Sequence, residues 1–170
     1  MQMQANALAP RQDSRIKQMA DAKEEVDLAD MPTDIEFTNI LNREQDNASC
    51  SLLRVGDIKI LLDCGCDERI HDKQMLNPAS AIRRVEAVAK DVHFIFVSHA
   101  TVHHVGALPL LHERGILNSE KGNNVQAVLS TSPVAKVGAQ TMYEFIIQKK
   151  ELHDFSTFGL QNVEGAFSQI

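Results

Sequence analysis

The run Val92-His93-Phe94-Ile95-Phe96-Val97 constrains this chain more than any other stretch, because four consecutive apolar residues end it and two of those are β-branched. So short an apolar run, closed at once by the polar pair Ser98-His99, reads as a strand buried within a sheet. A buried strand needs cover from helices, and helical patterns do flank it. Before it, Pro78 opens a helix whose apolar positions Ile82, Val85, Val88 and Ala89 fall three and four apart and which ends by Lys90. After it, a helix is predicted from about His104 to Gly115; Pro109 is awkward inside it, which makes a first turn nearer Gly106 the alternative. Val125 to Leu129 reads as a further strand. Thr131-Ser132-Pro133 then carries a cap-and-proline signature for a long helix reaching Lys150, and a last helix starts near Gln161. Upstream, Ile35 to Leu41, Ser49 to Val55 and Ile58 to Asp63 are strand-like. Gly56-Asp57 lies between the second and third, so the sheet is expected to begin antiparallel. The fold class is therefore α/β.

Residues 1–34 do not share this pattern. They hold no aromatic residue and carry 4 basic against 7 acidic side chains, a net of 4 − 7 = −3, so they bury too little to offset the entropy of ordering. The expected organisation is a disordered acidic tail over 1–34 and a folded part over 35–170. For the whole chain, 17 Lys and Arg face 23 Asp and Glu, a net charge of −6, which excludes a basic module gripping a phosphate backbone by itself. No Trp and a single Tyr leave few platforms for stacking bases. The three cysteines Cys50, Cys64 and Cys66 form no regular framework. They read as buried small hydrophobes in a reducing compartment, since Cys64-Gly65-Cys66 alone cannot close a zinc site. No apolar run is long enough to cross a membrane, and no membrane partner is expected.

Three places invite chemistry. Asp63 ends a strand where the chain turns, at the strand edge where α/β layers gather ligands, or else it caps the turn through its own carboxylate. Ser98-His99-Ala100-Thr101-Val102-His103-His104 sets three imidazoles within six residues, either a metal cluster or surface and capping side chains. Gly106-Ala107-Leu108-Pro109 brings backbone close to that loop. His71, His93, His112 and His153 are scattered and are taken as structural or solvent-facing.

The order of these features, Leu61-Leu62-Asp63-Cys64-Gly65, then a helix, a strand ending Ser98-His99, and His104-Val105-Gly106-Ala107-Leu108-Pro109, resembles the β-CASP branch of the metallo-β-lactamase fold. Further text keeps the register: Ser130-Thr131-Ser132-Pro133-Val134-Ala135-Lys136-Val137-Gly138, Asp154-Phe155-Ser156-Thr157-Phe158 and Asn162-Val163-Glu164-Gly165-Ala166-Phe167. The resemblance implies an αββα sandwich of which residues 35–170 supply the N-terminal half only. One sheet should then keep an uncovered apolar face. In active members of the branch the loop reads His-x-His-x-Asp-His and holds two zinc ions that activate a hydroxide for phosphodiester attack. Here His99 and His104 keep the first and last positions, but Thr101 stands for the middle His and His103 for the Asp. Asp63 matches the branch's first acidic motif, which orients ligands.

Two losses in one loop point to the degenerate, non-catalytic members of the branch. What that resemblance implies is a subunit without catalytic residues, with Asp63, His99, His103 and His104 as vestigial metal positions and no zinc held at useful affinity. It further implies a nuclear location, and as partners the active endonuclease sister subunit and other subunits of the pre-mRNA cleavage and polyadenylation complex. Pre-mRNA is then met through that complex. A degenerate subunit of the Integrator complex is the near neighbour of this reading. The competing class is an active zinc-dependent RNA hydrolase using His99, His103 and His104 with ligands from elsewhere. A bare interaction module is the third possibility.

Overall fold

The computed structural model describes residues 34–68, 79–117, 124–152 and 155–170. The chain divides between Met31 and Pro32, and the described residues all belong to the second unit. The acidic tail expected over 1–34 thus lies, but for Asp34, outside the described residues, as do His71, Pro78 and His153. In chain order the elements are β1 (Ile35–Leu41), α1 (Arg43–Asp46), β2 (Cys50–Val55), β3 (Ile58–Leu62), α2 (Ala81–Ala89) and β4 (Phe94–Val97). There follow α3 (Val102–Val105), α4 (Leu108–Glu113), β5 (Ala127–Ser130), α5 (Ser132–Leu152) and α6 (Leu160–Phe167).

The strands form one five-stranded sheet in the order β1-β2-β3-β4-β5. β1, β2 and β3 pair antiparallel, as the turn signal predicts, and Gly56 takes the positive φ of 57° that its hairpin turn needs. β3, β4 and β5 pair parallel, so the helices between them return the chain across the sheet. The sequence pattern puts one helix from about His104, or from nearer Gly106, to Gly115, whereas the structure has two short ones, α3 and α4, parted at Gly106-Ala107, the second beginning close to the later start. Proline explains the break: Pro109 has no N–H to donate and is accommodated in the first turn of a new helix. The four-residue helix α1 carries no apolar periodicity and was not legible. Asn42 caps it by accepting from the Glu44 N–H at 3.0 Å.

Strand pleating divides the sheet's side chains between two faces. One row runs Thr38, Leu52, Leu61, Ile95 and Val128 across all five strands. Its central members share a single core with Ile82 and Val85 of α2, Leu108 and Leu111 of α4, Met142 and Ile146 of α5, and Val163 of α6. The other face carries the rows Phe37, Leu53, Ile60, Phe94, Ala127 and Asn39, Ser51, Leu62, Phe96, Leu129, with Ile35, Val55 and Ile58 beside them. None of these thirteen positions is charged, eleven are apolar, and Ile35, Phe37, Ile58, Phe96 and Leu129 stand exposed. Among the described residues this is the apolar, partly exposed face that the resemblance leads one to expect.

Candidate functional site

The site lies where β3 and β4 end. β3 leaves its sheet through Asp63, whose φ of 60° is in the left-handed region that Asp tolerates better than most residues. Its N–H still donates to the Phe96 carbonyl at 2.8 Å, which pins the turn to the neighbouring strand. The carboxylate does not cap its own turn. Its Oδ1 accepts from the Ser98 N–H at 2.9 Å and the Ser98 hydroxyl at 2.7 Å, and Oδ2 lies 2.9 Å from that hydroxyl and 3.4 Å from Ser49 Oγ. Ser98 Oγ also sits 2.7 Å from His99 Nδ1. A hydroxyl has one proton, and an ionised carboxylate only accepts. With Asp63 ionised, the Ser98 proton goes to Asp63 and His99 Nδ1–H donates to Ser98 Oγ, which leaves the lone pair on His99 Nε2.

Helix α3 decides where the other imidazoles go. His103 and His104 are adjacent on it, about 100° apart around the axis, and their rings go to different partners. His104 is buried and turns inward: its ring lies 4.7 Å from that of His99, centroid to centroid, and its Nε2 is 4.0 Å from Asp63 Oδ2. Thr101 Oγ1 shares a 2.8 Å hydrogen bond with His104 Nδ1. His103 turns to the opposite side, where Nδ1–H donates to the Asn47 carbonyl at 2.6 Å and Nε2 lies 3.3 Å from Glu68 Oε1. The structure therefore gathers Asp63, His99 and His104 and separates His103 from them.

The backbone beneath the site is a three-way junction. A helix as short as α3 cannot satisfy its own last carbonyls. The His103 and His104 carbonyls accept from Ser49 N at 2.8 Å and Cys64 N at 2.7 Å, the Val102 carbonyl accepts from Cys66 N at 3.1 Å besides Gly106 N at 2.9 Å, and Ala107 N returns a bond to the Cys64 carbonyl at 2.9 Å. Gly65 is what lets these chains meet, since a Cβ there would stand 1.8 Å from the His103 carbonyl oxygen. Gly106 plays the same part more locally: its Cβ would fall 2.5 Å from Cys66 Sγ.

These residues do not compose a two-metal centre. His99 keeps Nε2 open, but Thr101 offers a neutral hydroxyl already bonded to His104, and His103 faces Asn47 and Glu68. Among the described residues no three His, Cys, Asp or Glu side chains are gathered so as to hold a metal ion. Cys50, Cys64 and Cys66 are buried free thiols. Burial foremost, with Asp63 adding to it, pushes Cys50 up to about 12; burial also carries Cys66 to about 12 and Cys64 well above its usual range. Thiols so protonated are poor nucleophiles and poor ligands. Ellman's reagent at pH 8 should therefore find no fast thiol in the native protein and three after unfolding. As pH rises through 9 to 12 the same groups favour the unfolded chain, where they ionise freely.

The sequence reading missed the role of Ser98, the residue that joins Asp63 to His99. Its place directly after a buried strand was the available signal. Asn47, Ser49 and Glu68 carried none, because each meets the loop only through the fold.

Comparison with known proteins follows the same outline. The profile of the metallo-beta-lactamase superfamily domain matches residues 52–170. The chain is 29% identical over 140 residues to a probable cleavage and polyadenylation specificity factor subunit 2 of Drosophila melanogaster, covering 82% of this chain and 17% of that protein. It is also 29% identical over 140 residues to cleavage and polyadenylation specificity factor subunit 2 of Oryza sativa subsp. japonica, with the same coverage of 82% and 17%. A probable subunit 2 of Caenorhabditis briggsae is 31% identical over 121 residues, or 71% of this chain and 13% of that one. The chain thus spans about a sixth or less of the length of these curated relatives.

Proposed function

Because this chain belongs to the metallo-beta-lactamase superfamily, we propose that it is part of a non-catalytic subunit of the complex that cleaves and polyadenylates pre-mRNA in the nucleus. In this reading it pairs with the active endonuclease of the same fold and meets RNA through the assembly, without cutting it. The names of the relatives support the complex. The observation that carries the non-catalytic part is the loop itself: Thr101 is spent on His104, and His103 points to Asn47 and Glu68. A hydrolytic two-metal site needs ions held firmly enough to lower the pKa of a bound water, and a neutral hydroxyl and an averted imidazole do not supply that. Asp63, His99 and His104 then serve to shape the loop, and zinc has no useful affinity for it.

An active zinc hydrolase is the reading to exclude, since Asp63, His99 and His104 do lie together. The test is RNA cleavage by the full-length gene product with added zinc. No EDTA-sensitive cutting is expected, and replacing His99 or His104 by Ala should change neither partner binding nor processing appreciably. EDTA-sensitive cutting abolished by either replacement would restore the enzyme.

A further inference from the structure

Thr101 and His103 stand at the two positions where the resemblance expects ligands, and each has acquired bonds that a ligand could not keep. Thr101 is the residue before α3, where a threonine usually caps the helix with its hydroxyl. Here no side-chain cap bond forms; the hydroxyl goes to His104 Nδ1, and only the Thr101 carbonyl serves the helix, accepting from His104 N at 2.8 Å and Val105 N at 3.0 Å. The threonine therefore holds the His104 ring from the far side while its Nε2 edge faces Asp63.

His103 ties α3 to the α1–β2 loop twice. Its side chain bonds the carbonyl of Asn47, which sits in the left-handed region at φ 49°, and its own carbonyl takes the Ser49 N–H, while its Nε2 lies 3.3 Å from Glu68 Oε1. Asn47 Nδ2 reaches Asp67 Oδ1 at 3.5 Å, so the α1–β2 loop is bound at both ends of this contact. Gly65 packs directly on the His103 carbonyl, which fixes the backbone from which the side chain projects.

We infer that residues 98–104 form a hydrogen-bonded lock in place of a metal centre, so that Thr101 and His103 are structural gains and not only lost ligands. This rests on the non-catalytic reading and sharpens it: writing the active motif back into the loop should not rebuild the site. An Asp at 103 would lose the bond that the imidazole makes to the Asn47 carbonyl, and where it kept the ring's direction it would face Asn47 and Glu68. There it would set a carboxylate against a carbonyl and another carboxylate, none of them a donor.

The experiment is thermal unfolding and metal analysis of the whole chain and its variants, with and without zinc. The double variant T101H/H103D should melt about 5 °C or more below the natural protein, take up no stoichiometric zinc, and gain nothing in Tm from added zinc. Should it fail to fold, the single variants decide. Thr101→Ser, which keeps the hydroxyl, should melt within about 1 °C of the natural protein, and Thr101→Val, which keeps the shape, several degrees lower. Zinc uptake with a raised Tm in the double variant, or equal melting of the Ser and Val variants, would overturn the lock. Stoichiometric zinc in the natural protein would instead refute the non-catalytic reading, so the two failures are distinguishable.

Discussion

Replacing Gly65 by alanine is expected to unfold the site and to lower stability by about 3 kcal/mol or more, an effect out of scale for one added methyl. The new Cβ would stand 1.8 Å from the His103 carbonyl oxygen, 2.4 Å from its carbon and 3.0 Å from the Ser49 oxygen. All three are backbone atoms, so no side-chain rotation relieves the clash. Moving them breaks the bonds from Ser49 N to His103 and from Cys64 N and Cys66 N to α3. With those bonds gone, the His103 and His104 carbonyls of the short helix lose the partners they have here. Urea or thermal denaturation followed by circular dichroism would measure the change. A loss below about 1 kcal/mol would mean that the junction is not the rigid support described here.

Neighbouring residues of β4 should give opposite results. Ile95 is fully buried between Leu61 and Val128 on the helix-covered face, and truncation to alanine leaves a cavity, at a cost of about 3 kcal/mol. Phe96 is the larger side chain, but it is 42% exposed on the outer face between Leu62 and Leu129. In the 170-residue chain Phe96→Ala should cost about 1 kcal/mol or less and reduce self-association, because it removes water-exposed apolar surface. Equal losses at 95 and 96 in denaturant titrations would show that the outer face is covered.

Much of this architecture was legible because local rules act on single stretches of chain. The alternation in Phe94-Ile95-Phe96-Val97 and the Gly56-Asp57 turn needed only their neighbours, and β1 falls at the predicted Ile35–Leu41. The site was legible in its residues and not in its wiring. Asp63 left two readings open, ligand or local cap, and the structure answers with Ser98, 35 positions away, which no spacing rule connects to it. The three imidazoles of the loop left open one metal cluster or separate surface and capping side chains. A single turn of helix starting at Val102, rather than near His104, divides them, because it sends His103 and His104 in different directions. Proline and glycine signals marked the neighbourhood of that break but did not say on which side of Gly106 each helix would lie.

The non-catalytic account stands or falls on metal. Purified full-length protein, expressed with zinc in the medium and dialysed without chelator, can be assayed for zinc by mass spectrometry and for EDTA-sensitive cutting of RNA. Much less than one zinc per chain and no cutting are expected. One or two zinc ions per chain, lost on replacing His99 or His104 and accompanied by RNA cleavage, would contradict it.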